Sequence, residues 1–587
     1  MRLVYLDLLK SYAIVVVVLF HFGLLKYGYL GVDVFFVFAG YLTSKSLDKY
    51  GDLINFKNYI SFEYNRIKRL LPLLLFACLV CLVYGYFFML PEDYENLAQS
   101  IVASSTFSNN VLQYLTTSDY WASSNDYKPL MHTWYLGVLM QFYLLYPLLF
   151  FIKNKFRKSV RDIAFYCLLL MIGCVSFGLY VLSDDQSKFF YFFEYRAYEF
   201  LLGALTFYLN KHKSKIIYRC GLKTFIFSAV LLVILTTINS NTIISDKSRL
   251  ILVVFMSTLS LASIKSLKRL DEKNILVKLS IIGVSSYSLY IWHQVVIALY
   301  RYSFTHDLSI DDYSILALLI VFLTYISYKV FERGIEHVIK THRRVFNYSL
   351  LAIFLFTNIC SIYVYLKAGI MYDVPELDVK KENAHRGFHS EYNDRIYKMD
   401  KEFVHNDKIR CLIVGNSFGR DWANVLLESK NANIIEISYC TIDQVKDRLS
   451  RVKSADIIFL TRDDINIAYV ERFKTLCRSC KELDSKLFVV GDKRFGCSNG
   501  VFYKNRWRET YFQQTVCVPN YIIKNNAELR QKMGNKFIDI LSCVYAGDNR
   551  VRVFTNNRKY ISQDCKHLTK AGAKFIADRI DWSLMSL

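Results

Sequence analysis

Proline is scarce in this chain, with 6 residues in 587, and acidic charge is thin, with 51 Asp and Glu against 73 Lys and Arg. Glycine is also sparse at 23, and neither an internal repeat nor a low-complexity tract stands out, which argues against a repeat array or a Pro/Gly-rich disordered chain. The spacing Cys-x-x-Cys occurs at Cys477 and Cys480 with no second such pair after it, so a zinc site is not indicated and no metal is expected. Of the 14 cysteines, six lie in the apolar half and eight in the C-terminal part. Some of the eight can pair if that part lies outside the cytoplasm, but the residues do not say which. No cleavable leader is evident, so the first apolar helix is expected to act as an uncleaved insertion signal.

What is abundant is apolar side chain: 53% of residues are hydrophobic and 16% aromatic. These are divided unevenly. Residues 1–367 are dominated by apolar runs, and residues 375–587 are charged, with short apolar runs between polar loops; the break falls near Tyr372. A net charge of +22 on a soluble chain would suggest nucleic acid, but here the excess sits in short loops between apolar segments. That is the pattern of a polytopic membrane protein, and membrane lipid rather than nucleic acid is the expected surrounding.

A spanning helix needs roughly 20 mostly apolar residues. Candidates are 8–25, 29–44, 70–90, 133–152, 162–182, 195–209, 222–238, 249–264, 279–300, 313–331 and 346–367, about eleven in all, of which 29–44 and 195–209 are short. With the N-terminus placed in the cytoplasm, the inner loops 45–69, 153–161, 211–223, 265–278 and 333–344 hold 25 Lys and Arg. The outer loops 25–28, 91–131, 183–194, 239–249 and 301–312 hold 6. That bias sets the orientation, and an odd number of spans puts residues 375–587 outside the cytoplasm. In that outer part, Cys411–Val414, Ile434–Ile437, Ile457–Leu460, Leu487–Val490 and Phe537–Ile540 look like buried strands separated by helix-compatible segments. Such alternation predicts an α/β domain with a parallel sheet.

Ionisable side chains at membrane depth are costly and are functional candidates by default. The first helix carries Asp7, Lys10 and His21. Lys10 and His21 stand roughly 16 Å apart along a helix, the lysine near the cytoplasmic face and the histidine past the midplane. By themselves they read equally as a snorkelling lysine and a hydrogen-bonded core histidine. Arg66 and Arg69, expected just before the third helix, share a face at i, i+3 and suit a polyphosphate ligand, although positive-inside charge alone also accounts for them. Asp33, His132, Glu199 and His293 fall in the outer halves of their helices. With His21 they can form one polar cavity opening outward, opposite the basic cytoplasmic side.

At these residues the chain resembles the acyltransferase family 3 membrane proteins. Tyr5–Ala13 resembles the family's opening, with Lys10 and His21 at its basic-x10-His spacing, and Gly31–Gly40 its second helix. Asn65–Pro72 contains its R-x-x-R element, and His132–Trp134 with Gln141–Pro147 resembles its fourth helix. Glu199–Gly203, Tyr287–His293 and Glu332-Arg333 match further segments, so the likeness runs in order through nearly all of residues 1–340. The resemblance implies transfer of an acyl group, usually acetyl, from cytoplasmic acyl-CoA to a carbohydrate at the outer face. Arg66, Arg69 and Lys10 would contact the CoA phosphates, with acetyl-CoA as co-substrate. His21 would be general base or acyl relay, and Glu199 a further catalytic group. The chain departs from the pattern at Leu139 and Met140, where the family usually carries one or two glutamates, so no role carries over there. Gly334 likewise replaces a proline after Glu332-Arg333.

Residues 409–418 form a buried run ending in Gly415-Asn416-Ser417, which places a serine at a strand-to-helix elbow. Near the end comes Asp564-x-x-His567-Leu568, in which the aspartate can orient the imidazole and the histidine can deprotonate Ser417. The pairing resembles the SGNH hydrolase fold over about 409–580, a domain fused after an eleventh helix in some family 3 acyltransferases. Ser417, Asp564 and His567 carry over. The fold's oxyanion Gly and Asn have no counterpart, although Asp463, Asp464 and Asn466 lie nearby and Arg462 is unusual there. The expected organisation is a membrane acyltransferase domain at 1–345, an eleventh helix at 346–367, a linker at 368–408 and the SGNH-like domain at 409–587. The expected function is O-acylation of a bacterial surface polysaccharide such as lipopolysaccharide O-antigen or peptidoglycan, by a multi-pass protein of the cytoplasmic membrane. Two rival readings are a transporter with an outer esterase and a membrane-anchored glycan-binding domain.

Overall fold

The computed structural model describes residues 4–585 apart from 51–54, 117–122, 212–220, 240–243, 268–273, 306, 406, 481–482 and 497. Parts of three loops expected on the inner face (51–54, 212–220 and 268–273) thus lie outside the described residues. The chain divides into two compact units: Met1–Phe87 with Asn96–Tyr363, and Phe88–Glu95 with Val364–Leu587.

The first unit is helical. Eight of its described helices are long and apolar enough to cross a membrane, or nine when Ile275–Val284 and Ser286–Ser303, bent by 63° at Ser285, count as one broken span. Within hydrocarbon only helices satisfy their own backbone groups, which is why the apolar runs take this form. Two apolar stretches give shorter helices, Ala197–Lys211 and Gly221–Thr237. The helix holding Arg66 and Arg69 starts earlier than the apolar run does, spanning Phe56–Phe88, so both arginines lie on the helix itself. The polar stretch before residue 70 continues the helix because nothing breaks it; Pro72 is accommodated inside. Small residues set the helix spacing. A Cβ on Gly40 would lie 1.8 Å from the Phe200 carbonyl oxygen and one on Gly203 1.9 Å from that of Val37, so Gly31–Leu47 and Ala197–Lys211 approach backbone to backbone. The last expected span is part of a longer helix, Ile335–Leu366, kinked at His342.

The second unit is α/β. Its strands are β1 (Ile409–Gly415), β2 (Ile435–Cys440), β3 (Ile457–Thr461), β4 (Leu487–Val490), β5 (Thr515–Cys517), β6 (Phe537–Ile538), β7 (Tyr545–Gly547) and β8 (Arg550–Arg552). A five-stranded parallel sheet has the order β2-β1-β3-β4-β6. Alternate strand residues bury on opposite faces: Cys411, Ile413, Phe459 and Phe488 on one, with Trp422; Leu412, Val414, Ile458 and Val489 on the other. Both faces are therefore covered, which explains why these strands read as continuous apolar runs. A small antiparallel sheet, β5-β8-β7, was not visible as a periodic pattern because its strands are three residues each. Cys411, Cys440, Cys477 and Cys480 are buried free thiols.

Candidate active sites

In the first unit the three basic residues singled out by sequence converge. Lys10, Arg66 and Arg69 line one cavity of about 110 Å³ together with Leu139, Tyr143 and Tyr290. Lys10 is held 3.6 Å from Asp7, one turn back. The Arg66 guanidinium lies over the rings of Phe62 and Tyr143 at 4.6 and 4.8 Å, with its Nε buried and unpartnered. Three cations around an apolar-walled pocket suit a phosphate-bearing molecule with a less polar tail. The break at Ser285 brings the start of the Ser286–Ser303 helix to this cavity through Ser286 and Tyr287. One first-turn amide is capped across the fold: Glu332 accepts from the buried Ser288 N–H at 3.2 Å and from its hydroxyl at 2.5 Å.

Tyr290 lines the basic cavity and also packs against a histidine cluster. Its ring centroid is 5.0 Å from His132 and 5.6 Å from His293, and its hydroxyl donates to the His132 carbonyl. His293 lies 5.0 Å from His21 and 5.3 Å from His132. Its Nδ1 donates to the Leu289 carbonyl at 3.2 Å, which leaves Nε2 as an acceptor with no partner; both ring nitrogens of His132 are also buried and unpartnered. Asp33 and Glu199 do not join this cluster directly. Both accept from Arg196, which bonds Glu199 at 3.0 Å and Asp33 more closely, all three being fully buried. His21, Asp33 and Arg196 share the wall of a small crevice with Trp134. Sequence reasoning missed Arg196 because a basic residue at the outer edge of a span reads as an interfacial charge. Its i, i+3 spacing to Glu199 was the available signal.

In the second unit Ser417 opens the Ser417–Leu427 helix directly after β1. β1 lies between β2 and β3, so the chain leaves it toward opposite edges of the sheet. The crevice at such a switch point is where α/β folds bind ligands. A Cβ on Gly415 would lie 2.1 Å from the Thr461 carbonyl oxygen, so the elbow needs glycine there. Asn416 caps the helix by accepting from the Phe418 N–H at 3.0 Å, and its amide donates to Asp463 at 2.5 Å. His567 Nε2 is 2.8 Å from Ser417 Oγ, and its Nδ1 is 2.6 Å from Asp564 Oδ2. The other Asp564 oxygen accepts the N–H groups of Lys566 and His567 at 3.0 and 2.7 Å. Burial opposes the Asp564 charge, but the bonds from His567 outweigh it and hold the carboxyl well below the usual range. Beneath the triad, Asp421 accepts from the Leu568 N–H at 3.0 Å and pairs with Lys493 at 2.8 Å, both 1% exposed. This pair ties the histidine loop to the helix that starts with Ser417. It was not legible in sequence, since nothing in the spacing of residues 421, 493 and 568 marks it.

The family model described as the acyltransferase domain, of the acyltransferase 3 type, matches residues 3–329. The chain belongs to the acyltransferase 3 family. The O-acetyltransferase OatA of Staphylococcus aureus (strain NCTC 8325 / PS 47) is 28% identical over 345 residues, 56% of this chain and 57% of that protein. The peptidoglycan O-acetyltransferase OatA of Listeria monocytogenes serovar 1/2a is 28% identical over 308 residues, 50% of this chain and 49% of that protein. The chain thus matches about half the length of these relatives. No solved structure matches it significantly. The family match contains the basic cavity, the histidine cluster and the Arg196 group, and it ends before Ser417. Leu139, at one of the two positions where glutamate is usual, lines the cavity of this family member with an apolar wall.

Proposed function

We propose that this chain is a membrane O-acetyltransferase that moves an acetyl group from cytoplasmic acetyl-CoA to a hydroxyl of a bacterial cell-surface polysaccharide. The carrying observation is that Tyr290 belongs at once to the cavity of Lys10, Arg66 and Arg69 and to the cluster of His21, His132 and His293. A phosphate-binding pocket and a set of proton-accepting imidazoles are thereby adjacent. That is the arrangement needed to hold a CoA thioester and deprotonate an attacking hydroxyl. The names of the relatives support acetyl as the group and make peptidoglycan the first acceptor to test.

In this reading the N-terminus is cytoplasmic and the Ser417 unit extracytoplasmic, supported by 25 Lys and Arg in the assigned inner loops against 6 in the outer ones. The eleven-span count and the four-part division of the chain belong to the same proposal. The order of the parallel sheet, with Ser417 after β1 and Asp564-x-x-His567 near the end, supports an SGNH-like unit. Once the membrane half has carried the acetyl group outward, Ser417 Oγ attacks its carbonyl as His567 takes the serine proton, and the group that carried the acetyl leaves with that proton. The glycan hydroxyl then attacks the acyl-serine, gives its proton to His567 and departs as the ester, and Ser417 recovers its hydrogen. Inverted membrane vesicles loaded with peptidoglycan fragments and given radiolabelled acetyl-CoA outside should transfer label to the enclosed glycan. Label confined to water as free acetate would refute the transferase reading in favour of hydrolysis.

A further inference from the structure

We propose that Glu92 is a positioning residue of the Ser417 site, set beside Asp564 by a segment of the N-terminal half of the chain. The inference rests on the reading of Ser417 as nucleophile.

Phe88–Glu95 precedes the triad by more than three hundred residues yet belongs to the second unit. Met89, Leu90 and Tyr94 are each 3% exposed. Leu90 packs in one cluster with Ala368, Ile370 and Cys565, and the Tyr372 hydroxyl donates to the Met89 carbonyl at 3.2 Å. A Cβ on Gly369 would lie 1.8 Å from the Pro91 carbonyl oxygen, so the backbone on either side of Glu92 is tightly seated. From there Glu92 accepts a hydrogen bond from the Gln563 side chain. Gln563 donates its own N–H to the His567 carbonyl at 2.8 Å. Glu92 therefore grips the loop that carries both Asp564 and His567.

Glu92 and Asp564 also line one cavity, of about 260 Å³. The groups facing Glu92 are mostly acidic: Asp93 and Glu95 on its own helix, Asp564 on the loop, Asp378 and Glu391 across the cavity, against His389 and Lys570. Burial, and after it the charge of Asp564, push the Glu92 carboxyl up to about 8. At neutral pH Glu92 then adds no second negative charge beside Asp564. Above that pH Glu92 ionises, and repulsion between two adjacent buried carboxylates works against the seat of Asp564 that orients the His567 ring. The structure thus makes the alkaline limb of the Ser417 reaction a property of a residue from the other end of the chain.

The test uses the full-length protein in detergent, with p-nitrophenyl acetate as the probe of Ser417. Each pH profile is normalised to its own rate at pH 7. The wild-type rate should drop from its neutral plateau to a lower one as Glu92 ionises, with the midpoint at about pH 8. Glu92→Gln, which keeps an acceptor for Gln563 and cannot ionise, should lose that fall. An alkaline fall unchanged in Glu92→Gln overturns the role of Glu92. Retained turnover in Ser417→Ala instead overturns the nucleophile reading, and the proposal with it. Carbodiimide labelling of the wild-type protein, read by peptide mass spectrometry, needs no turnover and no variant. Glu92, if protonated, should stay reactive up to about pH 8, and loss of its labelling by about pH 6 overturns the proposal.

Discussion

The two units build their polar sites in opposite ways. In the second, each member of the Ser417–His567–Asp564 set is bonded to the next, and the aspartate takes two further backbone N–H groups. In the first, Arg66 Nε, both His132 nitrogens and His293 Nε2 are buried with no partner. A buried polar atom without a partner costs about 1–3 kcal/mol, so several of them side by side are a burden that a bound molecule can relieve. The second unit is organised in advance for chemistry on whatever reaches Ser417. In the first unit the arginine and imidazole nitrogens keep bonding capacity that a phosphate or hydroxyl can use. This contrast fits a division of labour in which one half captures the donor and the other acts on the acyl group.

The sharpest way to break the comparison is to disable each half in turn. Ser417→Ala should lower glycan acetylation by at least about 10³-fold and leave acetyl-CoA affinity unchanged. His21→Ala should cost about 10²–10⁴-fold in the same assay while hydrolysis of a chromogenic ester by Ser417 persists. Full transfer by Ser417→Ala would leave the membrane half as the whole enzyme.

A second set of variants asks whether the Ser417 site owes its order to the pair beneath it. Lys493→Met leaves the buried Asp421 carboxylate with only the more distant Arg420, at 3.8 Å, and should destabilise the second unit by up to about 3 kcal/mol. The double variant Asp421→Asn/Lys493→Met keeps an acceptor for the Leu568 N–H and should recover much of that. Urea-dependent proteolysis of the full chain would measure both. Equal losses in the two variants would show that the charge pair itself does not matter.

On the membrane side, Arg66→Ala and Arg69→Ala each remove a charge-assisted phosphate contact. Each should weaken acetyl-CoA binding by about 1.5–3 kcal/mol, or roughly ten- to a hundredfold. Calorimetric titration in nanodiscs checks this, and unchanged affinity in both folded variants would return the arginines to the role of topology charges.

The halves also differ in how much of them sequence could reveal. Lys10, Arg66 and Arg69 could be grouped because all three sit toward one end of their helices, and the structure does bring them to one cavity. His21, His132 and His293 share a depth for the same reason, and they meet. Ser417, Asp564 and His567 were legible because the elbow and the Asp-x-x-His spacing are local. Depth and local spacing say nothing about lateral neighbours. Arg196 intervening between Asp33 and Glu199, Glu332 capping a broken helix, and Glu92 beside Asp564 depend on which elements pack together. The parallel sheet showed through its two-sided burial, whereas the three-residue strands β5, β7 and β8 are too short to carry a period. Helix ends were the weakest point, as at Phe56, because an amphipathic extension of a span has no apolar run to mark it.

The smallest effect expected is on stability, and it separates the units by their access to solvent protons. Asp492, just after β4, accepts the N–H groups of Asp464 at 3.0 Å and Lys493 at 2.7 Å and is 1% exposed. Through Asp464 it anchors the loop whose Asp463 holds Asn416 beside the nucleophile. Burial outweighs those bonds and pushes the carboxyl up to about 6. The folded unit then binds this proton more tightly than the unfolded chain, whose carboxyl titrates near the ordinary value of about 3.9. The contribution to stability is therefore fully present below the unfolded value and is lost as pH rises through the folded one. A shift of this size corresponds to at most roughly 3 kcal/mol, and relaxation of the loop reduces it, so about 1–2 kcal/mol is expected. Asp492→Asn, which keeps one acceptor oxygen and cannot ionise, should remove that dependence. Wild type should gain stability relative to Asp492→Asn as pH falls from 7 to about 4.5, read by urea-dependent proteolysis at each pH. A stability difference constant across that window would mean that Asp492 holds no proton there, and that the two N–H bonds, rather than burial, set its charge.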